Sequence, residues 1–191
     1  MRSLKVIIAE DEPVIRLDIK ELLEENGHRV VGEASNGREA IIISKTLKPD
    51  IVLMDIKMPI MDGISSAWHL YNQNIAPVIL LTAYCDNEFI EKAKYAGVIG
   101  YLVKPVNELN LFPALEIGLT RYKKYVKVKE KYNTVSEQLK NRKVIEKAKG
   151  ILMEKENIKE SEAYDKLRII SMNKGKSLID ISNMIVLNSK E

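Results

Sequence analysis

Ile51-Val52-Leu53-Met54-Asp55 is an apolar run that stops abruptly at a carboxylate. Such a run suits a strand buried on both faces of a parallel sheet. An acid at the carboxyl end of that strand stands where open α/β sheets bind ligands. The residues that follow, Ile56-Lys57-Met58-Pro59-Ile60-Met61-Asp62-Gly63, hold a proline and a glycine and read as a loop.

The same grammar repeats on both sides of this stretch. Leu4–Ala9 reads as a strand that ends in Glu10-Asp11-Glu12, and Pro13 suits the first turn of a helix running to Asn26-Gly27. Arg29–Ala34 is a second strand, and Asn36-Gly37 leads into a helix that Lys48-Pro49 stops. A helix is expected from Gly63 to about Asn74, then a strand over Pro77–Thr82. Asp86 or Asn87 is a candidate cap for a helix reaching Tyr95. Gly100–Val103 is a short fifth strand closed by Lys104-Pro105, and Asn107 begins another helix. Alternation of this kind predicts a parallel sheet with helices on both faces.

Composition bounds the rest. The 191 residues are 46% hydrophobic and 30% charged, which fits a globular chain of one large or two small domains. The single cysteine, Cys85, excludes an intramolecular disulfide and suits a reducing compartment. No signal-peptide core or spanning-length apolar run is present, so a cytoplasmic location and no membrane partner are expected. Residues 1–118 hold 12 Lys and Arg against 17 Asp and Glu, whereas residues 119–191 hold 18 against 10. The net charge therefore changes from −5 to +8 along the chain. A basic second part can meet nucleic acid or an anionic surface, or can simply be a solvated lysine-rich helical face.

That second part contains no strand signal. Residues 119–149 lack both Gly and Pro. Leu115, Leu119, Tyr122 and Val126, then Val128, Tyr132, Val135 and Leu139, recur in steps of three and four. This resembles a coiled-coil seam, which favours a dimer over one helix packed on its own domain. Val144, Ile145, Ala148, Ile151 and Leu152 make one apolar face, Ala163, Leu167 and Ile170 a second, and Ile181, Met184, Ile185 and Leu187 a third. Three short helices of this kind can form a small bundle.

The chemistry gathers at the strand ends. Strands one and three lie side by side in such a fold, so Glu10, Asp11 and Asp55 converge. Three acids in one crevice repel and call for a cation, and an all-oxygen set favours Mg2+. Asp55 is then a nucleophile for phosphorus, with the metal neutralising charge on the transferring group. Lys104 and Thr82, each at a strand end, can reach the same phosphoryl oxygens. Cys85, His28 and His69 lack partners at metal spacing, and Trp68 reads as a packing residue.

Glu10-Asp11, Asp55, Thr82-Ala83, Tyr101 and Lys104-Pro105 resemble, in order and spacing, the receiver domain of bacterial response regulators. The resemblance covers roughly residues 3–121. It implies a flavodoxin-like, doubly wound five-stranded parallel sheet. It implies Asp55 as phosphoacceptor from a sensor histidine kinase, with Mg2+ held by Glu10, Asp11, Asp55 and the backbone carbonyl of Lys57. It implies Lys104 as phosphoryl ligand, Thr82 and Tyr101 as a switch pair, and a cis Lys104–Pro105 peptide.

Arg142–Met153, with Glu162–Arg168, Ser171-Met172 and Ile179–Ser182, resembles the ANTAR domain, a three-helix RNA-binding module of transcription antiterminators. The whole chain is similar to the ethanolamine-utilisation type of antiterminator. The expected organisation is a receiver at 1–121, a coiled-coil helical linker at 122–141 and an ANTAR module at 134–191. The resemblance implies a homodimer, formed on phosphorylation, that binds a leader RNA with two hairpins.

Candidate RNA-binding residues are Arg142, Lys147, Lys149, Gly150, Tyr164 and Arg168. Lys147 and Lys149 are placed on an exposed stripe. Gly150 costs a helix about 1 kcal/mol relative to Ala, which makes sense if another backbone or RNA approaches closely. Tyr164 either stacks on an unpaired base or packs against Leu167 and Ile151. A DNA-binding transcription factor is the alternative output. A phosphatase is the enzymatic one, and Lys57, standing where a second acid is wanted, argues against it.

Overall fold

A computed structural model describes residues 3–83, 91, 93 and 95–189. Cys85 and the proposed helix caps Asp86 and Asn87 lie outside the described residues. The chain divides into two compact units, residues 1–125 and 126–191.

In the first unit, β1 (Lys5–Ala9), β2 (Arg29–Ala34), β3 (Ile51–Asp55), β4 (Val78–Thr82) and β5 (Gly100–Val103) form one parallel sheet in the order β2-β1-β3-β4-β5. Helices α1 (Pro13–Glu25), α2 (Gly37–Leu47) and α3 (Gly63–Asn72) join the first four strands. Every residue of β3 and β4 is buried, the property expected of strands covered on both faces.

Alternation within the strands builds two cores. Ile7, Val52, Met54, Val78 and Leu80 face one helical layer, with Ala40, Ala67 and Leu70. Val6, Ile8, Ile51, Leu53, Ile79 and Leu81 face the other, with Ile19, Leu23, Leu111 and Leu115. Local chemistry starts the helices where the sequence indicates. The side chain of Asn36 accepts from the Glu39 amide at 2.9 Å, and that of Asp62 from the Ser65 amide at 2.8 Å. Pro13 occupies the first turn of α1.

The fourth helix, α4 (Glu108–Glu156), is 49 residues long and joins segments that the sequence pattern divides. Its start packs on the sheet through Leu111, Leu115 and Leu119. This corrects the seam: Leu115 and Leu119 belong to the core of the first unit, where burying each contributes about 1.5–3 kcal/mol. Val128, Tyr132, Val135 and Leu139 are instead 54–71% exposed. The end of α4, with α5 (Glu160–Lys174) and α6 (Leu178–Asn188), forms the core of the second unit around Ala148, Leu152, Ala163, Leu167 and Ile181. Gly175, at φ +57°, ends α5, and the Ser177 side chain accepts from the Asp180 amide to start α6.

Candidate functional site

The carboxyl ends of β1, β3 and β4 open on one cleft of about 200 Å³, lined by Asp11, Asp55, Lys57, Thr82, Ala83 and Lys104 among others. Pairing sets its geometry. Ala9 is opposite Met54 and Asp55 opposite Leu81, so β1 delivers Glu10 and Asp11 beside Asp55. One carboxylate oxygen from each of Glu10, Asp11 and Asp55 lies within 4.8 Å of the others.

Both oxygens of Asp55 are held. Oδ1 is 2.7 Å from the Lys104 ammonium, and Oδ2 accepts the Lys57 backbone N–H at 2.8 Å. Lys104 Nζ also lies 2.7 Å from Glu10 Oε2. The three side chains are only 1–16% exposed, so the cluster sits in a low dielectric where each charge depends on the others. Burial pushes the Glu10 carboxyl up, and the nearby Asp55 charge adds to it, while the Lys104 hydrogen bond pulls the other way. Burial works against the Lys104 ammonium, but its hydrogen bonds to Asp55 and Glu10 outweigh it and hold its pKa above the usual lysine value.

Thr82 is buried at the end of β4, and Tyr101 is exposed on β5, opposite Leu80. The Lys104–Pro105 peptide is cis. The donor set suits a hard divalent cation: three carboxylates, a loop backbone at Lys57, and a Glu10 oxygen that Lys104 contacts at 2.7 Å.

Gly63 reads from the sequence only as a turn residue. A Cβ at this position would lie 2.0 Å from the carbonyl oxygen of Asp55, and the Gly63 amide donates to Ile56 O at 2.9 Å. The loop after the acid therefore folds back onto the acid's own backbone, and only glycine leaves room. The one sequence signal is a glycine at the end of the loop, and close approach is invisible without the fold.

These features coincide with similarity along the chain. Residues 6–116 match the response regulator receiver domain and residues 133–186 match the ANTAR domain. The chain belongs to the response regulator family, with an ANTAR output domain. The transcriptional regulatory protein PdtaR of Mycobacterium tuberculosis (strain ATCC 25618 / H37Rv) is 37% identical over 182 residues, covering 95% of this regulator and 89% of PdtaR. The chemotaxis protein CheY of Thermotoga maritima is 37% identical over 112 residues, 58% of this regulator and 93% of CheY. Among solved structures, the receiver domain of a modulated diguanylate cyclase from Desulfovibrio desulfuricans G20 has a TM-score of 0.59 at 33% identity, covering 63% of this regulator and 97% of that chain. The response regulator is thus a regulatory protein rather than a self-standing enzyme. No helix among its described residues is long and apolar enough to cross a membrane.

In the second unit of the regulator the candidate residues divide. Arg142, Lys147 and Arg168 are exposed, and Tyr164 is 44% exposed, outside the bundle core. Lys149 is a correction. It is only 7% exposed, and its ammonium lies 2.8 Å from Glu146 and 2.7 Å from Glu160. The helix turns it toward the start of α5, so it ties two helices together instead of lining an open stripe. A methyl group on Gly150 would meet nothing within 4 Å, so among the described residues no backbone approach accounts for the glycine. Trp68 is half exposed on α3, with its ring edge-on to His69.

Proposed function

We propose that Asp55 is a phosphoacceptor whose modification controls an RNA-binding output. The observation that carries this is the single carboxylate gripped on both oxygens, by Lys104 and by the Lys57 amide, with two further acids within 4.8 Å. An Asp55 oxygen attacks the phosphorus of a phosphohistidine on a sensor kinase. The new P–O bond forms as the P–N bond breaks, and the histidine nitrogen leaves with the electron pair. Mg2+, held by Glu10, Asp11, Asp55 and the Lys57 carbonyl, supplies charge neutralisation on the phosphoryl oxygens when bound.

Lys104 already sits 2.7 Å from Asp55 Oδ1, so its ammonium is placed to follow the transferred group. Thr82 offers a hydroxyl to the same group, and Tyr101 on the neighbouring strand responds to its movement. We take 1–121 as the receiver, 122–141 as the linker and 134–191 as the RNA-binding module. Exposed Val128, Tyr132, Val135 and Leu139 are the seam through which two copies pair. The pair then offers two modules to two hairpins of a leader RNA, gaining avidity and keeping a terminator from forming. Exposed Tyr164 supports stacking on an unpaired base, beside Arg142, Lys147 and Arg168.

Incubating the chain with Mg2+ and a small acyl phosphate tests the first step by intact mass. One phosphoryl group is expected on the wild type and none on Asp55→Asn. Light scattering and competition between a two-hairpin RNA and a DNA duplex, at one salt concentration, test the second. An unmodified wild type removes the phosphoacceptor. Preference for the duplex replaces RNA by DNA, and an unchanged mass in solution after phosphorylation removes the dimer switch.

A further inference from the structure

The positive charge of the second unit is not in its bundle. Residues 126–147, the part of α4 that precedes the bundle core, hold seven Lys and Arg against three acids, whereas residues 148–191 hold eight against seven. Within that part of α4 the charge has a direction. Asn133, Ser136, Lys140, Lys143 and Lys147 recur in steps of three, four, three and four. On a helix of 3.6 residues per turn they fall within about 40° of one line and span about 21 Å. The acids lie elsewhere: Glu137 is about 80° from that line, and Glu130 and Glu146 about 100°.

Among the described residues Lys140, Lys143 and Lys147 form no ion pair, although Lys149, two residues further on, is bracketed by two acids. All three lysines are exposed. The apolar seam of Val128, Tyr132, Val135 and Leu139 runs alongside, about a quarter-turn away. Copies paired on that seam carry one such line on each outer face.

We infer that the line Asn133–Ser136–Lys140–Lys143–Lys147 is a track for the phosphate backbone of RNA, so that the helix leading into the bundle, as well as the bundle, holds the ligand. This rests on the RNA-binding reading above and deepens it by naming the phosphate-binding surface. A file of ammonium groups preceded by hydrogen-bonding Asn and Ser, with no acid on the face between residues 126 and 147, matches a polyanion whose charges repeat at close intervals. Such contacts position the RNA without reading its sequence. Specificity is then left to groups such as Tyr164.

The test uses the full chain and a fluorescently labelled RNA of two hairpins joined by a single-stranded spacer, with affinity measured across a range of salt. Lys140→Gln/Lys143→Gln/Lys147→Gln should lower the slope of log affinity against log salt by about 2–3 and weaken binding about tenfold or more. Lys155→Gln/Lys174→Gln/Lys176→Gln removes the same charge from exposed sites off the track and should change the slope by less than about 1. Circular dichroism checks that both variants stay folded, as exposed Lys-to-Gln changes in or beside helices should.

A wild type that binds the RNA, with the two triple variants indistinguishable from each other, overturns the track while sparing the RNA reading. A wild type that binds no RNA at any salt overturns the reading itself, and the track with it. Loss of binding to vesicles of anionic phospholipid by the track variant, with RNA binding unchanged, assigns the line to a membrane surface and likewise overturns the track.

Discussion

Replacing Lys104 by Met removes the cation that stands between Glu10 and Asp55, 2.7 Å from each. The methionine fills a similar volume, so the loss is electrostatic. Breaking a fully buried ion pair by deleting one partner costs about 3–5 kcal/mol, because the remaining charge is desolvated and unpaired. Lys104 is 16% exposed, which lets water reach the cluster and lowers the expectation to about 2–3 kcal/mol in the absence of metal. With a urea dependence of about 1–3 kcal/mol per molar, the midpoint falls by about 0.7–3 M.

Trp68 is the chain's one tryptophan and lies on α3, so its fluorescence reports the first unit alone. The decisive comparison is with and without Mg2+. A cation at tenfold its dissociation constant stabilises the folded state by about 1.4 kcal/mol. The variant, with three acids and no lysine, should gain more from Mg2+ than the wild type gains. Equal urea midpoints in chelator, or an equal Mg2+ gain in both proteins, would refute the claim that Lys104 and a metal compensate the same negative charge.

Gly63→Ala places a methyl 2.0 Å from Asp55 O, forcing the loop and the acid apart at a cost of about 1–3 kcal/mol; Trp68-monitored melting and acyl-phosphate labelling should both suffer. His28 is buried, its Nδ1 accepts the Leu4 amide at 3.3 Å, and burial holds its pKa below the ordinary 6.5. A depressed folded pKa gives stability that is complete above the unfolded value and is lost as pH falls from about 6.5 toward the folded one. Denaturation midpoints should therefore fall on acidification in the wild type, and His28→Gln should flatten that part of the profile. Val135→Glu puts a charge on the exposed seam and should hold the phosphorylated protein at the monomer mass in sedimentation, with the circular dichroism of its helices intact. Lys149→Met should lower the melting temperature of the bundle while leaving the salt slope of RNA binding unchanged, because its ammonium is occupied by Glu146 and Glu160.

The sheet and the acidic cleft are legible because short-range rules control them. Apolar runs of strand length, capped helix starts and acids at strand ends each write their signal within a few residues, and β1, β3 and β4 lie where those signals put them. The fate of longer-range contacts is not legible. Leu115 and Val135 look alike in a heptad pattern, yet one is buried in the core that holds Leu53 and Leu81 and the other is open to solvent. Periodicity reports that a face is apolar and not what covers it.

Lys149 and Lys147 differ for the same reason. Two residues on one helix point in different directions, and the approach of Glu160 from the next helix adds to Glu146 on the same helix in engaging the Lys149 ammonium. Gly63 is the sharpest case. The sequence alone determined that a turn follows Asp55; the tertiary structure decided that this turn returns to touch the acid's own carbonyl, because close approach is a property of the folded backbone rather than of any local pattern.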